Sequence, residues 1–103
     1  MTANAPIPTT IEEQACELLS PRLAACIRQR TQLGIRKYGQ RLDDNRQPTR
    51  ARAVHLVQEL LDGLQYALWL GETQTASRLA VEAILVSRRY GLTVSEIMNG
   101  GKA

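Results

Sequence analysis

The chain has 103 residues with 44% hydrophobic content, three tyrosines, one tryptophan, no phenylalanine, two cysteines and one histidine. This length allows one domain with a modest core, and the ordinary hydrophobic content excludes wholesale disorder. The net charge of +3 comes mainly from arginine, and a structural zinc site is excluded because the cysteines lack C-x-x-C spacing.

Residues 1–8 are predicted to form a flexible tail ahead of the first helix. They lack the basic-then-apolar layout of a signal peptide, and no apolar run in the chain approaches the roughly 18 residues that span a bilayer. We therefore expect a cytoplasmic protein that makes no membrane contact, with its cysteines reduced.

Helix boundaries are marked clearly in the first half of the chain. Thr10 and Glu13 have the spacing of a capping box. The Ser-Pro pair at 20–21 predicts either a new helix with proline in its first turn or a kink in one longer helix. That helix is expected to end at Gly39, and residues 40–48 are polar and rich in turn formers, which predicts a loop.

Three further helices are predicted in the second half. A long helix spans about 49–70 and is ended by Gly71, and another runs from 73 or 75 to about 90. Thr93 and Glu96 form a second capping box, which predicts a short last helix.

The fold class that follows is all-α. No segment shows the sustained alternation of a half-buried strand. We expect a single domain over residues 9–103, built as a helical bundle of about four helices plus a short C-terminal helix and assembling through helix–helix contacts.

Charge is distributed unevenly along this pattern. Residues 28–52 hold eight basic and two acidic residues, a balance of +6, so the remainder carries −3. Eleven of the thirteen basic residues are arginine, whose forked donors suit phosphate or carboxylate. A solvated arginine-rich surface is the alternative interpretation.

The long helix carries a polar stripe. At about 100° per residue, five functional side chains fall within about 40° of one line: His55, Glu59, Asp62, Tyr66 and Trp69. The apolar residues occupy the opposite arc: Leu56, Val57, Leu60, Leu61, Leu64, Ala67 and Leu68. We expect the leucines to be buried against neighbouring helices while the stripe points away from them.

The stripe has two interpretations. Amphipathic helices usually turn such a face to water, but a plain solvent face carries lysine and arginine more often than Tyr66 and Trp69. The aromatics favour the wall of a cleft or a contact with a partner helix.

Glu59 and Asp62 are one turn apart, and their mutual repulsion calls for a cation or water. Mg²⁺ prefers such carboxylate oxygens and keeps other positions for water and phosphate.

These features resemble a known family. The residues that carry the resemblance are Lys37-Tyr38-Gly39, Leu42, a polar loop, His55, Gln58-Glu59, Asp62 and Tyr66. Over about residues 31–70 they are similar to small MazG-like proteins of phages and mobile gene cassettes. That group belongs to the all-α nucleoside triphosphate pyrophosphohydrolases, which form dimers or tetramers and use Mg²⁺ to release pyrophosphate from a nucleotide.

The resemblance implies roles for individual residues. Glu59 and Asp62 match the family's metal-binding pair, with Mn²⁺ as an alternative to Mg²⁺, and His55 would orient a water or bind a phosphate. The acids that could complete a metal cluster are Glu13, Glu17 and Glu82. The substrate-binding candidates, for a nucleoside triphosphate or a related phosphorylated molecule, are Lys37, Arg41 and Arg50 toward phosphate, and Tyr66 and Trp69 toward the base. The expected assembly is a homodimer or homotetramer.

A helix-turn-helix is one alternative. Ser87, Gly91 and Ile97 have the small–glycine–apolar spacing of that motif. A recognition helix has to reach into the major groove, and the segment 94–98 is too short to do so. From the sequence we therefore do not expect a nucleic acid as a partner of this protein.

A catalytically silent helical oligomer that binds a protein or a small ligand is the other alternative. Leucine and valine cover most of the surfaces of residues 53–70 and 79–86. This is more apolar area than one chain of this length can bury, so association between copies is expected.

Overall fold

The structure, a computed structural model, describes residues 10–100. The chain forms two compact units, with the boundary between Arg46 and Gln47. Of the described residues, 79% are helical and none lies in a strand, which confirms the all-α fold class. The helices are α1 (Ile11–Glu17), α2 (Pro21–Tyr38), α3 (Thr49–Leu70), α4 (Thr73–Arg89) and α5 (Val94–Met98), and a 3₁₀ turn covers Leu42–Asp44. The predicted tail, residues 1–8, lies outside the described part, and the single domain over 9–103 stays a prediction.

The first unit is a hairpin of α1 and α2 followed by the 3₁₀ turn. Ser20 caps α2, since its Oγ accepts a hydrogen bond from the Leu23 backbone N–H at 3.5 Å. The Ser-Pro pair thus starts a new helix. Gly39 ends α2 at φ +75°, a left-handed conformation that glycine adopts without a Cβ clash.

The 3₁₀ turn holds the start of α1. Asp43 Oδ2 accepts a hydrogen bond from the Ile11 N–H at 3.0 Å, and Arg41 pairs with Glu12 at 3.5 Å. Within this unit, Ala24 is the one residue that is fully buried among those described. These local bonds therefore act with little support from apolar burial.

The second unit is built on the pairing of α3 with α4. Every fully buried residue on the two helices is alanine or valine: Ala53, Val54, Val57 and Ala67 on α3, and Ala76, Ala83 and Val86 on α4. Such small side chains let two helix backbones approach closely. Burying Val54 and Val57, the two least exposed residues, stabilises the unit by about 1.5–3 kcal/mol each.

Part of the apolar arc of α3 remains uncovered. Leu60 packs against the core and Leu64 is half-buried, as expected. In contrast, Leu56, Leu61 and Leu68 are 49%, 36% and 56% exposed. The expectation that α3 buries all its leucines is therefore wrong for these three, because the contact with α4 covers only the strip of small residues.

The short helix α5 is attached to α3 by apolar packing and by a side-chain hydrogen bond. Leu92 and Ile97 pack against the cluster of Ala53, Val57 and Val86. In addition, the Gln58 side-chain amide donates to the Ile97 carbonyl at 2.6 Å.

No helix within residues 10–100 has the length and apolar character that crossing a membrane requires.

Arg50 makes several polar contacts between α3 and the C-terminal part of its unit. Its guanidinium pairs with both carboxylate oxygens of Glu96 and donates to the carbonyls of Tyr90 and Gly91, each at 2.7 Å. Arg50 thus joins the start of α3 to the end of α4 and to α5. The side-chain hydrogen bond from Arg50, followed by one from the Thr93 backbone, lowers the pKa of Glu96 from 4.5 to about 2.

Candidate metal–phosphate site on helix α3

The polar stripe of α3 points away from the helix contacts of its unit. All five of its members are exposed: His55, Glu59, Asp62, Tyr66 and Trp69. The opposite strip, which includes Ala53, Val57 and Ala67, is buried. A single helix with period 3.6 and one packed side is sufficient to present these groups together.

The two carboxylates of the stripe are open to a ligand. Within residues 10–100, neither Glu59 nor Asp62 has an ion-pair or hydrogen-bond partner. Residues three apart on a helix have Cβ atoms about 5–6 Å from one another. Two negative charges at this separation raise the local affinity for a cation.

Two aromatic side chains lie beside the carboxylates. The ring centroids of Tyr66 and Trp69 are 6.4 Å apart with their planes at 48°, and Trp69 is 86% exposed. Together with Asp62 and Gln65 they line an open recess. Gln65 could not be predicted as a lining residue, because a glutamine at the edge of an amphipathic helix has the same pattern whether it lines a recess or contacts solvent.

The predicted acidic cluster is not assembled by the described residues of one chain. Among residues 10–100, no three His, Cys, Asp or Glu side chains lie close enough to hold a metal ion. Glu13 and Glu17 belong to α1 in the first unit, and Glu82 is on α4, where it lines a separate recess with Ser77, Arg78 and Val81. The Glu59–Asp62 pair offers two carboxylates, and one or two carboxylates beside water and phosphate oxygens are the usual ligands of Mg²⁺ in proteins.

The three predicted phosphate-binding cations are in different situations. Arg50 is engaged with Glu96 and two carbonyls. Arg41 pairs with Glu12, and the Lys37 ammonium lies 5.2 Å from the centre of the Tyr38 ring. Lys37 and Arg41 belong to the first unit, whereas Arg50 belongs to the second.

Gln58 precedes Glu59 on α3 and belongs to the contact with α5. Here its amide donates to the Ile97 carbonyl, a bond that a carboxylate cannot donate. Gln58 therefore helps to hold α5 against α3, and it is not a member of the stripe.

Comparisons of this chain with protein-family models, with curated proteins and with solved structures gave no match in any of the three.

Proposed function

We propose that the exposed stripe of α3 binds a Mg²⁺–nucleotide and that the protein is a MazG-like nucleotide-binding protein that hydrolyses a nucleoside triphosphate to its monophosphate and pyrophosphate. The observation that carries this proposal is the Glu59–Asp62 pair, which has no ion-pair or hydrogen-bond partner within residues 10–100 and shares its exposed face with Tyr66 and Trp69. On a face that only contacts water, two exposed aromatic rings beside two repelling acids do not stabilise the fold.

Each residue of the stripe has a distinct task in this proposal. Glu59 and Asp62 would hold the metal ion, which would supply charge neutralisation for the phosphates and a more acidic bound water. His55, one turn before Glu59, hydrogen-bonds a water or a phosphate oxygen. Tyr66 and Trp69 provide an aromatic surface on which a base can stack, in the recess that Asp62 also lines.

The missing components of the site are expected from a second copy of the chain. Two carboxylates leave the metal short of protein ligands compared with the family's acidic cluster, and Arg50 is engaged inside its own unit. A homodimer or homotetramer would bring Glu13, Glu17 or Glu82 of another copy to the stripe, and with them Lys37 or Arg41. The exposed leucines of α3 provide apolar area for that association.

The test is pyrophosphate release from a panel of ordinary and modified nucleoside triphosphates, with Mg²⁺, with Mn²⁺ and with a chelator. We expect metal-dependent release from at least one nucleotide and loss of that release in Glu59→Gln. Glu72→Gln, which removes an exposed acid outside the stripe, is the matched control. Release that Glu59→Gln leaves unchanged would overturn the assignment.

The second candidate function is a catalytically silent helical oligomer that binds a protein or a small ligand. A specific observation supports it: the outer side of α4 exposes Val81, Ile84 and Leu85, which are 52%, 49% and 43% exposed. Sedimentation of the wild type and of Ile84→Glu over a range of concentrations tests the association. A flat nucleotide panel together with an oligomer that Ile84→Glu dissociates would select this candidate over the hydrolase.

A further inference from the structure

Helix α2 is strongly basic on the side that points away from α1. Its eighteen residues include five basic and no acidic side chains, and all five basic residues are exposed. At about 100° per residue, four of them fall within an arc of about 120°. These four, which we call the basic face, are Arg22, Arg30, Arg36 and Lys37.

The side of α2 opposite the basic face packs with α1. Ala24 is buried there, and the Cys16 thiol of α1 lies 3.6 Å from the Ala24 carbonyl oxygen. Ile27 and Thr31, on the same side, are half-buried. The basic face therefore points away from the contact that holds the hairpin together.

The basic face is not neutralised within the described part of the chain. Arg22, Arg30 and Arg36 have no ion pair or hydrogen bond with any of residues 10–100, whereas Arg41 and Arg50 do. The basic segment found in the sequence is thus divided: Arg41, Arg50 and Arg52 make internal contacts, whereas the arginines of α2 make none with any of residues 10–100.

The stability of α2 does not explain why its basic residues lack acidic partners. Arg22 in the first turn opposes the helix dipole, and five cations on one helix without an acid among them repel one another. Acidic residues between the arginines would relieve both effects, and α2 has none. An uncompensated row of arginines on a fixed scaffold is the arrangement that phosphate recognition uses.

We propose that the basic face binds the phosphate backbone of duplex DNA without reading its sequence. From Arg22 to Lys37 the face is about 22 Å long at 1.5 Å per residue, and duplex DNA presents a phosphate charge about every 1.7 Å of its axis. A helix also fits the width of the major groove of B-form DNA. This surface is distinct from α5, which was too short to serve as a recognition helix.

The composition of the face selects duplex DNA among polyanions. Single strands are held by aromatic platforms inside a basic groove, and the one aromatic of α2, Tyr38, falls about 160° from Arg22. Duplex RNA has a major groove too narrow for a helix. A membrane surface needs apolar anchors beside the cations, and Leu33 is the one large apolar residue between them.

The experiment measures binding of the full chain to a labelled mixed-sequence duplex, about two helical turns long, as salt is raised. Four phosphate contacts give a slope of log K against log salt of about −3.6, a loss of about 150-fold in affinity between 50 and 200 mM. The double variant Arg22→Gln/Arg36→Gln should lower the slope to about −1.8, with a loss of about 12-fold over the same range.

Two comparisons make the result decisive. The matched control Arg78→Gln/Arg89→Gln removes two exposed arginines of α4 and should keep the wild-type slope, while far-UV circular dichroism verifies that both double variants remain helical. Glu59→Gln should bind DNA as the wild type does, because Arg22, Arg30 and Arg36 of the basic face take no part in the proposed metal–phosphate site. No binding to duplex DNA, a slope that Arg22→Gln/Arg36→Gln leaves unchanged, or tighter binding to single strands, duplex RNA or anionic lipid vesicles would overturn the proposal.

Discussion

The two units use their helices in different ways. Among the described residues, the unit of 47–100 buries seven alanines and valines, whereas the unit of 10–46 buries Ala24 alone. The longer unit also has the Arg50–Glu96 clamp. The shorter unit presents instead a helix with five exposed cations.

The two units therefore differ in what stabilises them and in which side chains they expose. An eighteen-residue helix with one buried side chain gains little from apolar burial, and helix propensity alone gives marginal stability at this length. In the longer unit, one side of α3 is fixed by its contact with α4, so the opposite side can keep repelling acids and exposed rings. A functional face requires such a rigid support.

The largest expected effect comes from a charge in the core of the longer unit. Val57 is 1% exposed, so Val57→Asp would place an unpaired carboxylate among alanines and valines. We expect a loss of about 3–5 kcal/mol in the free energy of unfolding, measured by urea titration at fixed protein concentration. Gln65→Asp, an exposed position on the same helix, should change it by less than about 0.5 kcal/mol. Equal effects of the two changes would mean that α3 does not pack on this side.

The next effect concerns the clamp and depends on pH. The pKa of Glu96 is lower in the folded chain than in the unfolded one, so its stabilising contribution is complete above pH 4.5 and is lost as the pH falls toward 2. The hydrogen-exchange protection of the Ile97 amide, corrected for intrinsic rates, should fall over that interval. In Glu96→Gln the protection should be low throughout and nearly independent of pH, whereas Glu72→Gln should behave as the wild type. A wild-type profile in Glu96→Gln would show that α5 is held without the clamp.

The smallest effect compares one glycine from each unit. An added Cβ at Gly34 in α2 meets nothing within 4 Å, but at Gly63 in α3 it would lie 3.3 Å from Leu79 Cδ1. Gly34→Ala should therefore stabilise the protein by about 0.5–1 kcal/mol through helix propensity. At Gly63 the tight contact with Leu79 should offset much of that gain. Thermal unfolding of both variants is the measurement, and an equal gain at Gly63 would indicate that α3 and α4 pack more loosely than the structure shows.

Most helix boundaries were predictable because their causes are local. Thr10, Ser20 and Thr93 cap helices through bonds to residues three positions on, and Gly39 and Gly71 end helices through their own backbone angles. The 3₁₀ turn at 42–44 was missed, because the same polar turn formers also describe an irregular loop.

The candidate site was predictable in part for the same reason. Helical period alone places Glu59, Asp62 and Tyr66 on one face, and the structure adds that this face is exposed. The structural role of Arg50 could not be predicted from the sequence, because its partners Tyr90 and Glu96 lie 40 and 46 residues further along the chain. A charge count over a segment cannot separate arginines that hold the fold from those that remain available to a ligand.

The central claim is that the carboxylate pair of α3 supports metal-dependent chemistry on a nucleotide. The most direct measurement is the Mg²⁺-dependent rate of pyrophosphate release, for the nucleotide that the panel identifies, in Asp62→Asn, Glu59→Gln and Glu72→Gln. A metal ligand supports several kcal/mol of transition-state stabilisation, so each of the first two changes should lower the rate by at least about 100-fold, while Glu72→Gln should leave it unchanged. Wild-type rates in Asp62→Asn and Glu59→Gln would contradict the claim.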